Sequence, residues 1–120
     1  MIAASSVLSR PHIPLKYPAK YRDLYSLDAA PLPAARTKPD AMPAVAWDSW
    51  DDVRSRDDVT SLNVSWPYGP MPDQFSKLVR QSYFAAVSYI DDQVGELLQA
   101  LNQTGLDPTT IVAFWVRGFA

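Results

Sequence analysis

Between residues 72 and 102, apolar side chains recur every three or four positions: Phe75, Leu78, Val79, Phe84, Val87, Ile90, Val94, Leu97, Leu98 and Leu101. That period belongs to an amphipathic helix, held for about eight turns. Pro72 suits its first turn, where no amide partner is needed, and Gly105 suits the position just past its end. Asp91, Asp92 and Glu96 fall mostly off the stripe and are expected in solvent. The stripe itself reads as core packing against a sheet rather than a cofactor box.

A different pattern follows. Residues 109–116 run Thr-Thr-Ile-Val-Ala-Phe-Trp-Val, β-branched or aromatic at every position but Ala113, which predicts a buried strand. A helix, a Gly-Leu-Asp-Pro turn and an apolar strand make half of a βαβ unit. No other segment reads clearly as a strand. A buried strand without neighbours leaves amides and carbonyls unpaired, at about 1–3 kcal/mol each. Its partners are therefore expected outside this sequence.

Upstream the signals are shorter. Trp47, Trp50 and Val53 recur every three residues and predict a short helix within 47–61. Asp48 or Ser49 suits its N-cap, and Asp51 and Asp52 suit its first turn against the helix dipole. The pairs Asp51-Asp52 and Asp57-Asp58 read as a solvated face, a better account than a paired-carboxylate hydrolase. Seven of the 11 prolines fall at or before Pro43. Proline fixes φ and removes a donor, so residues 9–46 are expected to be an extended, surface-hugging connection. One short helix is allowed over 17–25, with Pro18 in its first turn.

Composition narrows the function. The chain has 120 residues, 48% hydrophobic and 20% charged, as a globular protein has. Its net charge of -2 is spread along the chain, so no basic field exists for a nucleic-acid partner. No apolar run approaches the roughly 20 residues of a membrane span. There are no cysteines, which removes thiol nucleophiles, disulfides and thiolate metal sites. The one histidine, His12, excludes two-histidine zinc clusters. Residues 1–8 are mildly apolar but lack a basic start and the length of a signal peptide. On these grounds alone His12 reads as a surface-loop histidine between two prolines, and a hydrolase built on it finds no Gly-x-Ser-x-Gly elbow.

Three segments carry a resemblance. Arg10-Pro11-His12-Ile13-Pro14-Leu15-Lys16-Tyr17-Pro18 is similar to a Lys-Pro-His-Ile-Pro segment of the iduronate-2-sulfatase branch of the sulfatases. Residues 62–70, Leu-Asn-Val-Ser-Trp-Pro-Tyr-Gly-Pro, resemble a loop that bears an N-glycan in that branch. Residues 80–98, beginning Arg-Gln-Ser-Tyr-Phe-Ala-Ala-Val-Ser-Tyr-Ile-Asp, resemble a helix that many sulfatases share in looser form. The match spans residues 10–114, in order and at similar spacing.

The resemblance implies an α/β, alkaline-phosphatase-like fold, of which residues 1–120 would be part of the N-terminal catalytic domain. It implies a Pro-rich extended start, one long helix and a C-terminal strand. The implied reaction removes the 2-O-sulfate from iduronate of heparan and dermatan sulfate, in the lysosome. In that family a formylglycine made from the cysteine of Cys-x-Pro-Ser-Arg is the nucleophile. A calcium ion held by an Asp-Asp pair and a later Asp-His pair neutralises the sulfate.

By the same resemblance, His12 is the catalytic histidine that contacts the sulfate ester. Arg10 stands where relatives have a substrate-binding lysine, and the two are not interchangeable in a tight anion site. The departures are large. No cysteine can become formylglycine, and no Asp-Asp pair lies near the start. The family's Ser-Asp-His-Gly is replaced after residue 114 by Trp-Val-Arg-Gly-Phe-Ala. The chain is thus expected to be a truncated portion that binds no calcium and is inactive alone. The alternative is a non-catalytic product that associates with itself or a partner through the open face of the 72–102 helix. Two Asn-x-Ser/Thr triplets, at Asn63 and Asn102, are candidate glycan acceptors. Trp66 and Tyr68 could line a sugar site, though Pro-rich loops bury such rings for packing too.

Overall fold

A computed structural model describes residues 11–47, 51–62 and 69–114. The element order is α1 (Ala19–Arg22), a 3-10 turn (Ala44–Ala46), α2 (Asp51–Arg54), α3 (Asp57–Thr60), α4 (Asp73–Gln103) and a second 3-10 turn (Asp107–Thr109). The helix expected over 72–102 is α4, displaced by one residue at each end. Pro72 is its N-cap, and its carbonyl accepts the Ser76 amide at 2.9 Å. Its far end closes on Gly105, whose φ of 68° is open to glycine at little cost. The Gly105 amide donates to Asn102 O at 2.9 Å and the Leu106 amide to Leu101 O at 3.2 Å, the paired bonds of a Schellman end.

The helix expected within 47–61 is two single turns instead. Arg56 is extended (φ -73°, ψ 143°) and separates α2 from α3. Asp57 and Asp58 occupy the first turn of α3, where carboxylates favour the positive end of the helix dipole. The proposed caps Asp48 and Ser49 lie outside the described residues. Val53 and Val59 are buried.

The proline-rich start is the extended strap that its composition predicts, and α4 is what it hugs. Tyr17 donates to Ser82 Oγ at 2.8 Å, and Tyr21 to Asp92 Oδ2 at 2.7 Å. Tyr25 shares a 2.6 Å bond with Ser88 Oγ. Beyond α1 the strap returns toward the start of α4. Arg80 donates to Pro31 O at 2.7 Å, and Arg36 pairs with Asp73. Two ring pairs add apolar contact, Tyr21 with Tyr89 at 5.2 Å and Tyr25 with Phe84 at 5.5 Å between centroids. Buried Gln81 donates to Tyr25 O at 2.6 Å, and Ala85, fully buried, lies one turn along. Asp92 is exposed, as expected, yet it is also the anchor of Tyr21.

The strap lies on the line Gln81, Ser88, Asp92. At 100° per residue the stripe Val79, Ala86, Ile90, Leu97 falls about 160° around the helix from that line, and Ala86 within it is fully buried. Along this far side Leu97 is 50% exposed, and residues 95–100 are exposed throughout.

The expected strand over 109–116 is not found. Residues 107–109 form a 3-10 turn and 110–114 are irregular, while 115 and 116 lie outside the described residues. Ile111 is 95% and Phe114 70% exposed. There are no strands among the described residues, so nothing is present for this segment to pair with. β-propensity requires a half-buried, hydrogen-bonded surface, and the propensity alone does not supply one.

Candidate functional site

His12 is placed by the strap, in a bend between Pro11 and Pro14. Its Nδ1 lies 2.6 Å from the Ile13 carbonyl oxygen. A carbonyl oxygen only accepts, so this bond puts the proton on Nδ1. Nε2 is left to the exterior. It accepts when the ring is neutral and donates when the ring is an imidazolium.

The ring borders an open groove of about 690 Å³ between the strap, α2, α3 and the first turns of α4. Val53, Phe75 and Val79 form apolar wall, and Lys16, Asp52 and Arg56 bring charge to it. Asp58 also lines the groove. Arg56 holds it by two bonds, Nε to Oδ1 at 3.0 Å and Nη2 to Oδ2 at 3.3 Å. The guanidinium bond lowers the Asp58 carboxyl below its ordinary value, and the same bond raises Arg56. Arg54 ties this corner to the following loop, its Nη2 donating to Gly69 O at 2.7 Å.

The sequence-derived site residues fare differently. His12 stands at a groove whose charged lining is Lys16, Asp52, Arg56 and Asp58. Arg10 and Asn63 lie outside the described residues, as do Trp66 and Tyr68. Asn102 is exposed in the last turn of α4 and donates to Asp107 Oδ2 at 3.1 Å. Sequence reasoning missed the strap latch of Tyr17, Tyr21 and Tyr25. Their four-residue spacing is a local pattern, but their partners on α4 lie 63–71 positions away, and no sequence signal links the two. Asp92 raises the Tyr21 phenol above its ordinary value through their hydrogen bond, and burial adds to this.

The calcium that the resemblance implies can be tested against these side chains. Among the described residues no three His, Asp or Glu side chains come together as a metal ion would need. Asp52 and Asp58 share the groove, but the Arg56 guanidinium occupies Asp58. The described residues do not fit a calcium ion.

Comparison with known proteins agrees with the resemblance. The sulfatase family pattern matches residues 4–115. Over 105 residues the chain is 50% identical to human iduronate 2-sulfatase and 49% identical to the mouse protein. Each match covers 88% of this chain and 19% of the relative. A sulfatase of Formosa agariphila is 28% identical over 112 residues, again 88% of this chain and 19% of the relative. The chain thus spans about a fifth of the length of the curated relatives it matches. The α/β, alkaline-phosphatase-like class is supported by this match, and the helical part of it is what the described residues display. The chain belongs to the sulfatase family.

Proposed function

We propose that this chain supplies the ester-contacting histidine and its supporting helix to an iduronate-2-sulfatase-like hydrolase, and that it does not turn over substrate alone. The observation that carries the reading is His12. The Ile13 carbonyl takes its Nδ1 proton and Nε2 is free at an open groove. An imidazolium Nε2–H there donates to the bridging oxygen of a sulfate ester as negative charge develops on it. The similarity to two iduronate 2-sulfatases supports a 2-O-sulfated iduronate, as in heparan or dermatan sulfate, as the substrate class in this reading. The same resemblance supports the lysosome as the place of action. Calcium belongs to the complete enzyme in this reading, and no step is assigned to it here.

The proposed inactivity follows from the absent nucleophile, since the sequence holds no cysteine of the Cys-x-Pro-Ser-Arg kind from which the resembled enzymes make formylglycine. A fluorogenic iduronate-2-sulfate assay on the purified chain tests it, with and without calcium. The expected result is a rate equal to that of buffer. Calcium-dependent turnover lost in His12→Ala would refute the inactivity and keep the histidine's role. Turnover unchanged in that variant would refute both.

A second reading is favoured by the open face of α4. Val87, Leu97 and Leu98, which share one side of the helix, are each 42–50% exposed. Such a surface supports association with a further copy or a larger sulfatase chain. Sedimentation across a range of concentrations separates the two readings, because a monomer at every concentration removes self-association.

A further inference from the structure

The triplet Asn102-Gln103-Thr104 lies where α4 ends, and the reading above leaves it without a role. Asn102 and Thr104 are exposed, as are residues 95–100 of the approaching helix and 105–114 beyond it. A branched sugar on Asn102 Nδ2 would stand in solvent. Both groups a glycosyl transferase must engage are, however, already tied. Asn102 Nδ2 donates to Asp107 Oδ2 at 3.1 Å. Thr104 Oγ1 donates its one proton back to the helix, 3.0 Å from Ala100 O and 2.9 Å from Leu101 O. The turn that ties them is closed by Gly105 at φ 68°, through its amide bond to Asn102 O.

We propose that Asn102 accepts an N-linked glycan, and that acceptance competes with closure of the last turn of α4. In the transfer, Asn102 Nδ2 attacks the anomeric carbon of an oligosaccharide carried on a polyprenyl diphosphate. A C–N bond forms, the bond from that carbon to the diphosphate oxygen breaks, and the electron pair leaves on the lipid diphosphate. One amide proton passes to a base of the transferase. The secondary amide that results keeps one N–H, enough to donate again to Asp107. The finished end of α4 therefore tolerates the sugar, although the closed turn withholds the acceptor. The inference rests on reading the chain as part of a lumenal sulfatase, so its test supplies the compartment separately.

The full chain is expressed behind a cleavable secretory leader in cultured animal cells, and leader removal is checked by mass. Wild type, Asn102→Gln, Thr104→Ala, Thr104→Ser, Asn63→Gln and Gly105→Ala are compared on gels before and after peptide N-glycosidase. Asn102→Gln and Thr104→Ala are each expected to lose one glycan step, and Thr104→Ser to keep it. Gly105→Ala is expected to raise the occupied fraction, because alanine resists the left-handed φ that closes the turn. With the leader removed, equal mobility of wild type, Asn102→Gln and Thr104→Ala overturns the acceptor assignment. An unchanged or lower occupancy in Gly105→Ala overturns the competition. A sulfatase assay that fails leaves these gel shifts as they are, so the two readings fail separately.

Discussion

Replacing Gln81 by methionine removes one donor from the join between strap and helix while keeping the side chain's length. Gln81 is 8% exposed, and its amide nitrogen donates to Tyr25 O at 2.6 Å. The bond itself is worth about 1 kcal/mol net. Its loss leaves the Tyr25 carbonyl unpaired in a half-buried place, which costs about 1–3 kcal/mol at full burial. Methionine recovers part of this by placing an apolar group where the amide was. The expected destabilisation of Gln81→Met is about 1.5–2 kcal/mol, and of Gln81→Ala about 1 kcal/mol more, since alanine also leaves a void. With a urea slope of about 2 kcal/mol/M, the methionine variant should lower the midpoint by roughly 0.8–1 M. Circular dichroism at the helix band reads the midpoint, and amide exchange on residues 19–25 reads the strap. If Gln81→Met stays within about 0.3 M of wild type and the strap amides exchange no faster, water satisfies the Tyr25 carbonyl, and this bond does not hold the strap.

Further outcomes follow from the same contacts. Gly105→Ala should cost about 1 kcal/mol in the same urea experiment, because φ 68° places an alanine Cβ against its own backbone. In an absorbance titration Tyr21 should ionise later than a free phenol, and Asp92→Asn should shorten the delay, because the Asp92 bond is the largest cause and burial the next. A raised folded value means that this contact stabilises the fold below the ordinary phenol range and is lost as pH rises through the folded value. For Asp58 the sign reverses: its lowered value stabilises the fold above the ordinary carboxylate range, and that support is lost as pH falls through the folded value. The Arg56–Asp58 pair is exposed, so 1 M salt should erase the difference between wild type and Asp58→Asn in an acid titration.

How much of this was legible in the residues varies with the range of the interaction. The helix α4 was readable because its signals are local: period, Pro72 at one end and Gly105 at the other. The strap was readable as extended chain, since prolines act through their own backbone. Its grip on α4 was not readable, because Tyr17, Tyr21 and Tyr25 meet Ser82, Asp92 and Ser88 across 63–71 positions of sequence. The single helix within 47–61 failed for a local reason. Asp57 and Asp58 favour a fresh helix start, so Arg56 extends and divides the segment. His12 was legible only through family resemblance. On its residues alone it is a loop histidine, and neither its bond to Ile13 O nor the groove beside it has a sequence signature.

The strand expected over 109–116 and the stripe of α4 pose one physical question, which is what covers them. Ile111 is 95%, Val112 59% and Phe114 70% exposed, while Leu97 and Leu98 on α4 are 50% and 46% exposed. A sheet beside α4 would cover those helix residues and offer a pairing edge to residues 109–114 together. The same sequence that reads as a buried strand is then irregular and exposed for one reason. Its apolar side chains and its backbone donors both need the same neighbours, and the described residues contain no strand to supply them.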